Sequence, residues 1–251
     1  MINAIEKAFL ILEKIASCGT SAVTPAQIAD DLQLNRATCS RILKQLLDMG
    51  YVVKVSRQQG YTAGPGLHTM GMICRYSEQL LKCAIPVIDR CAVELQNSVL
   101  LSQLCNGRRY ILYHRNCNPD LHVSITRHCY DDLFATATGL LLVAYCSKSE
   151  RLNCFKMQKR YGGSFLNEFS DLETLNDELD KIRRQGYVEM DRGYQWLYAY
   201  PVKSGSRVDT AIGMSILKSQ HNAELHRKIC RTLESAAEEI SHYSEMKFSM
   251  G

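Results

Sequence analysis

TPAQIADDLQLNRATCSRILKQLLDMGYVVKVSRQQGYTAG, residues 24–64, decides the fold of the N-terminal part of the chain. Placed on a helix at about 100° per residue, the segment from Arg36 to Met49 separates into two sides. Cys39, Ile42, Leu43, Leu46, Leu47 and Met49 share one side. Ala37, Thr38, Ser40, Arg41, Lys44, Gln45 and Asp48 share the other. The apolar side suits a small core. The second side carries short polar and long cationic groups, which suits the floor of a DNA major groove.

The flanks give this helix its setting. Thr24-Pro25-Ala26-Gln27 has the pattern of a capping box, with Thr at the N-cap, Pro at the first helical position and Gln at the third. It opens a short helix, Pro25 to Leu32, with Ile28, Ala29 and Leu32 facing inward. Asn35 is placed to cap the second helix with its side-chain oxygen. Helices joined by so few residues cross steeply, as in a helix-turn-helix. After Gly50 the period changes. Tyr51 to Val55, a polar turn at Ser56 to Gly60, and Tyr61 to Ala63 read as a β-hairpin with Arg57 at its tip. Helix, turn, helix and hairpin in this order make a winged helix.

Charge distribution supports the same reading. The chain of 251 residues has a net charge of +4, too small to imply DNA binding by itself. Between Asn35 and Gly64, however, Arg36, Arg41, Lys44, Lys54 and Arg57 face Asp48 as the single acid. The excess positive charge is therefore concentrated on one module, where it attracts phosphates. Apolar content of 46% and charged content of 22% are ordinary for a globular protein. The length allows two compact domains.

The remaining composition excludes other classes. Met1 to Cys18 is interrupted by Glu6, Lys7, Glu13 and Lys14, so no secretory leader is expected. The apolar run near Leu140 to Cys146 is too short to cross a bilayer. Eleven cysteines, an odd number without C-x-x-C spacing, read as reduced core residues of a cytosolic protein. Cys105, His114, Cys117, His122, His128 and Cys129 crowd one region, but none has the spacing of a metal site, and neither a metal nor another cofactor is expected. There is no G-x-S-x-G, no phosphate-cradling glycine loop and no Cys/His/Asp set, so no enzyme is expected.

Outward from the opening stretch, the first helix spans roughly Ile2 to Cys18. Its apolar arc of Ile2, Ile5, Ala8, Phe9, Ile11, Leu12, Ile15 and Ala16 is wide for a helix covering so small a domain, which suggests a second partner. Leu10 falls opposite that arc. Gly64-Pro65-Gly66 marks a break, and Leu67 to about Leu81 reads as a linker helix, placing the domains at residues 1–75 and 76–251. A new helix is expected to start at Pro86 and run to about Gln96. Val99–Cys105 and Tyr110–His114 form a hairpin around Asn106-Gly107. Further strands are read at Leu121–Thr126, Tyr187–Met190, Tyr198–Val202 and Ala211–Leu217. Helices are read at Leu140–Tyr145, from a capping box at Ser170-Asp171-Leu172-Glu173 to Arg184, and from Asn222 to Tyr243. The result is an α+β chain whose C-terminal domain has a six-strand antiparallel sheet with helices on its faces.

With these motifs in place, the chain resembles the IclR family of bacterial transcriptional regulators over essentially its full length. The resemblance rests on LNRATCSRILKQLLDMGYV and GYTAGPGLHTMG, then LFATATGLLLVA, IRRQGYVEMD, YAYPV and TAIGMSI. It implies a GAF-like effector domain, a homodimer through the N-terminal domain and often a dimer of dimers. It also implies control of a catabolic or transport operon by a metabolite, most often by repression. By position, the family's DNA-reading residues correspond to Arg36, Ala37, Thr38, Ser40 and Arg41, with Lys44 and Arg57 of the wing adding phosphate contacts. The effector pocket corresponds to Val123, Ala137, Thr138, Asp191, Leu197 and Ser215. There the N–H groups of Ala137, Thr138 and Gly139 at a helix start suit a carboxylate, so a small organic acid is the expected ligand. The sequence departs from the family at Gln33, which stands where a turn glycine is usual, and at Leu140, Trp196-Leu197 and Leu217-Lys218. The loop between Met190 and Pro201 also looks shortened.

Overall fold

The structure, a computed structural model, describes residues 3–73, 77–119, 129–130, 132–160 and 171–248. The chain divides into two compact units, Met1–Tyr76 and Ser77–Gly251.

The first unit follows the expected winged-helix order. Helices α1 (Ala4–Ser17), α2 (Pro25–Asp31) and α3 (Arg36–Asp48) precede a hairpin of β1 (Val52–Ser56) and β2 (Gly60–Ala63), and α4 (Pro65–Ile73) closes the unit. The capping box forms in both directions: Gln27 N–H donates to Thr24 Oγ1, and Thr24 N–H donates to Gln27 Oε1 at 2.9 Å. Asn35 Oδ1 accepts from Ala37 N–H at 2.9 Å and Thr38 N–H at 3.3 Å. The turn between α2 and α3 is a Schellman closure, with Gln33 N–H donating to Asp30 O and Leu34 N–H to Ala29 O. Gln33 sits at φ +52°, so the turn keeps the left-handed geometry that a glycine would hold at lower cost. The core is Ile11, Ile15, Ile28, Ala29, Cys39, Ile42, Leu43, Leu46 and Val52.

One strand segment of this unit escaped the sequence reading. Val23 exchanges both backbone hydrogen bonds with Tyr61, at 2.8 and 2.9 Å, adding a bridge to the hairpin. Gly60, at φ +94°, permits it: a Cβ there would stand 2.2 Å from Val23 O.

The second unit is a six-stranded antiparallel sheet in the order β5-β4-β3-β8-β7-β6. Its strands are β3 (Ser98–Cys105), β4 (Arg108–Asn116), β5 (Cys129–Tyr130), β6 (Val188–Asp191), β7 (Gln195–Ser204) and β8 (Arg207–Leu217). Helices α5 (Glu78–Leu95) and α9 (Ala223–Phe248) cover one face, while α6 (Ala137–Tyr145) and α8 (Leu172–Gln185) cover the other, with α7 (Lys148–Arg160) beside α6. The β3–β4 turn has Asn106 at φ +50° and Gly107 at φ +73°, the geometry expected of Asn-Gly.

Several expectations need correction. Pro86 does not start a helix; it lies inside α5. Pro86 and Lys82 are both exposed, so water can reach the Lys82 carbonyl that proline leaves without a donor. The expected linker helix from Leu67 to Leu81 is interrupted. α4 ends at Ile73, and Ser77, at φ +56°, cannot continue a right-handed helix into α5. The cap of α8 is Asp171, one residue later than expected, and accepts from Thr174 N–H at 2.8 Å. The stretch expected to be a shortened loop before Pro201 is largely strand. β6 turns through Gly193, at φ +77°, straight into β7, pairing Asp191 with Trp196 and Met190 with Leu197. The strand expected at Leu121–Thr126 lies outside the described residues.

Candidate DNA-reading face and effector cavity

On α3, burial of Cys39, Ile42, Leu43 and Leu46 against the small core fixes which side points outward. Arg36, Ala37, Ser40, Arg41 and Lys44 are exposed and Thr38 is half-buried. The sequence had grouped Ala37, Thr38, Ser40, Arg41 and Lys44 on one side, and they share the outward face with Arg36. Arg36 also reaches back to Asp30 of α2 at 3.2 Å. That pair is exposed on both partners and therefore worth little to stability. Arg57 is exposed in the turn of the wing, where Ser56 Oγ accepts from Gln59 N–H at 2.9 Å.

The second unit holds a cavity of about 730 Å³ between the α6 side of the sheet, the start of α6 and the turn after β6. Ala137, Thr138, Asp191, Leu197 and Ser215 all contribute to its lining. Val123 lies outside the described residues. Gly139 is not a lining residue. A Cβ there would stand 2.2 Å from Leu133 O, and its N–H is donated to Thr136 Oγ1 at 3.2 Å. Of the three helix-start N–H groups expected from the sequence to face a ligand, that of Gly139 is taken by the Thr136 cap.

The polar lining has definite commitments. Arg109, 4% exposed, grips Asp132 with Nε at 2.9 Å and Nη2 at 2.6 Å, and its Nη1 donates to Ser102 Oγ at 3.3 Å. Ser102 Oγ in turn donates to Thr138 Oγ1 at 3.5 Å. The Asp191 carboxylate takes the Lys218 ammonium and, at 2.9 Å, the Gly193 N–H. The Lys218 ammonium holds the Asp191 carboxyl below the usual carboxylate range. Asp191 thus lines the cavity with its charge already paired. Arg192 reaches Phe134 O at 2.8 Å and shares the lining. Leu100 and Leu197 provide apolar wall. Gly213 lets α6 approach: a Cβ there would meet Thr138 Cγ2 at 2.4 Å and Tyr198 O at 2.8 Å.

Sequence reasoning missed Arg109, Asp132 and Arg192. Arg109 follows an Asn-Gly turn and looks like an ordinary strand-end cation. Its partner is distant in sequence, and no local spacing connects them. Among the Cys and His residues expected to be near one another, Cys105, His114, Cys117 and Cys129 form no metal-binding group among the described residues. His114 instead shares a 2.6 Å hydrogen bond with Ser98 Oγ, and burial lowers its pKa. His122 and His128 lie outside the described residues.

Comparison with known proteins agrees with both halves of this description. Residues 4–56 match the IclR helix-turn-helix domain, and residues 76–242 match the family described as bacterial transcriptional regulator IclR C-terminal. An uncharacterized HTH-type transcriptional regulator of Haemophilus influenzae is 24% identical over 226 residues, covering 86% of this chain and 83% of that protein. The fold is similar to an IclR-type regulator from Alicyclobacillus acidocaldarius, with a TM-score of 0.74 at 19% identity and coverage of 97% of this chain and 99% of that one. It is also similar to an IclR homolog from Microbacterium hydrocarbonoxydans solved with 4-hydroxybenzoate, with a TM-score of 0.74 at 18% identity and coverage of 96% and 99%. No helix among the described residues is long and apolar enough to cross a membrane. An N-terminal winged helix that exposes a cationic α3 face, joined to an α/β domain with a polar-lined cavity, is the architecture of a DNA-binding regulator with an effector domain, and the chain belongs to the IclR family of bacterial transcriptional regulators.

Proposed function

We propose that Arg36, Ala37, Thr38, Ser40 and Arg41 read operator bases, that Lys44 and Arg57 contact phosphates, and that a small organic acid in the second unit's cavity controls this binding. The observation that carries the ligand reading is the cavity itself. Its volume is within the range of small-molecule sites, and Ala137 and Thr138 line it at a helix start, where a carboxylate is favoured. Ser215 and Thr138 add hydroxyls beside apolar wall from Leu197. Because the Microbacterium homolog was solved with 4-hydroxybenzoate, an aromatic carboxylate is the first ligand class to try.

The protein acts as a cytoplasmic repressor of a catabolic or transport operon, the ligand shifting the population of DNA-competent arrangements. It has no catalytic role in this reading: the two carboxylates that line the cavity, Asp132 and Asp191, are both occupied by cations. It works as a homodimer, or a dimer of dimers, through α1. Ile11 and Ile15 fill the winged-helix core, whereas Ile5 and Phe9 are 70% and 60% exposed and form a second apolar stripe with Leu12 and Ala16. A second copy of α1 would cover that stripe and set half-site spacing.

The test is a thermal-shift screen over aromatic and aliphatic acids on the full chain, followed by operator binding with and without the hit. Thr138→Val should keep operator affinity and weaken the response to ligand. A Thr138→Val protein with an unchanged ligand response would overturn the cavity assignment.

A further inference from the structure

On the other face of the same sheet lies a cluster that the regulatory reading does not use. β7 alternates: Leu197 and Ala199 face α6, while Trp196, Tyr198 and Tyr200 pack beneath α5 and α9. Glu189 of β6 pairs in register with Tyr198, which puts its carboxylate on the α9 side. From α9, His226 and Cys230 project one helical turn apart. Cys230 Sγ is 3.1 Å from Glu189 Oε1 and 3.8 Å from His226 Nε2, and His226 Nε2 is 3.7 Å from Glu189 Oε2.

We propose that Glu189, His226 and Cys230 form a binding site for a divalent metal of borderline softness, zinc being the natural occupant. The chemistry of the donor set is one carboxylate oxygen, one imidazole nitrogen and one thiolate sulfur, a combination that suits zinc better than magnesium or calcium. The spacing suits it as well. Metal–ligand bonds of about 2.0–2.3 Å at tetrahedral angles place donors about 3.3–3.6 Å apart, and the three donor pairs here span 3.1 to 3.8 Å.

The surroundings complete the case. The Tyr198 hydroxyl lies 3.3 Å from His226 Nδ1, so it can accept that nitrogen's proton-bearing bond and leave Nε2 as the donor atom, the usual support for a ligating imidazole. The side chains of Glu189 and His226 are 21% and 31% exposed, which leaves an entry path. His221 lies against the cluster, its ring stacked on Trp196 at 4.4 Å and edge-on to His226 at 5.5 Å. Its Nε2 is buried and has no hydrogen-bond partner among the described residues. The fourth position is then filled by water or, after a side-chain rotation, by His221. On binding, the Cys230 thiol passes its proton to solvent and its sulfur lone pair to the metal; no electron is transferred. The metal would tie the sheet edge at β6 to the C-terminal helix.

The experiment uses the full chain, purified under reducing conditions and stripped with a chelator. Cobalt(II) is added as a spectroscopic probe, and zinc is titrated in competition with a chromophoric chelator. Expected are about one ion per chain, a thiolate-to-cobalt charge-transfer band, and loss of both in Cys230→Ser and His226→Gln but not in Cys117→Ser. Glu189→Gln should weaken zinc at least tenfold. Iodoacetamide mapping of the unmutated protein provides a readout that does not depend on variants folding: zinc should protect Cys230 while leaving exposed Cys105 reactive. Absence of the cobalt band, a band that persists in Cys230→Ser, or Cys230 alkylation unaffected by zinc would each overturn the assignment.

Discussion

Asp132→Asn tests how the cavity is built. The Arg109 guanidinium, its side chain 5% exposed, makes two short bonds to the Asp132 carboxylate, whose side chain is 29% exposed. Asparagine keeps one acceptor oxygen and turns the other position into an NH2 group facing the guanidinium, so one bond is lost and the buried cation is left without its counter-charge. Removing one partner of a buried pair costs about 3–5 kcal/mol. Because water reaches part of Asp132, the lower end applies, about 3 kcal/mol. For a domain of this size that lowers Tm by about 6–12 °C. Calorimetry on the full chain reads the shift. Arg109→Met added to Asp132→Asn should return much of the loss, since it removes the stranded charge. The single variant should also gain affinity for carboxylate ligands over neutral analogues, because the guanidinium beside the cavity is no longer neutralised. A Tm within about 2 °C of the parent, or a double variant no more stable than the single one, would refute the reasoning.

Other expectations follow from close approaches and charges. Gly213→Ala should destabilise the second unit by about 1–3 kcal/mol, because the new methyl would meet Tyr198 O, which is backbone, as well as Thr138 Cγ2; equilibrium unfolding at parental stability would contradict it. Gln33→Gly should stabilise the winged helix by about 1 kcal/mol by relieving a left-handed non-glycine residue; a fall in stability would show that Gln33 makes a compensating contact. Lys218→Met should return the Asp191 pKa toward the ordinary carboxylate range. Because the folded-state pKa is depressed, the contact contributes above the ordinary range and is lost as pH falls through the folded value. An NMR titration giving the same Asp191 midpoint in both proteins would refute that cause.

What the sequence revealed depended on whether the responsible contact was local. Thr24 with Gln27, Asn35 with α3, and Asn106-Gly107 act within a few residues, and each forms in the structure as its spacing indicated. The α3 faces were readable because its core side is apolar and its other side is not. α7 was invisible for the opposite reason: its buried residues include Arg151 and Gln158, and Arg151 is held by Asp180 at 2.7 Å and Ala144 O at 2.6 Å. A helix whose inward face is polar gives no apolar period. α6 is buried from Ala137 through Ala144, so it has no amphipathic signature either, and its apolar run was read as a helix only from Leu140, three residues after its start. The Arg109–Asp132 pair and the Val23–Tyr61 bridge join residues far apart in sequence, and only the folded chain brings them together.

The most direct test of the account is fluorescence anisotropy with an operator duplex selected from a random library, comparing the parent with Arg41→Ala and Lys44→Ala at several salt concentrations. The account expects Arg41→Ala to lose about 1–3 kcal/mol of specific binding and to relax sequence preference. Lys44→Ala should weaken all sequences alike and lower the salt slope by about one. Parental affinity, selectivity and salt slope in both variants would contradict the claim that the outward face of α3 reads DNA.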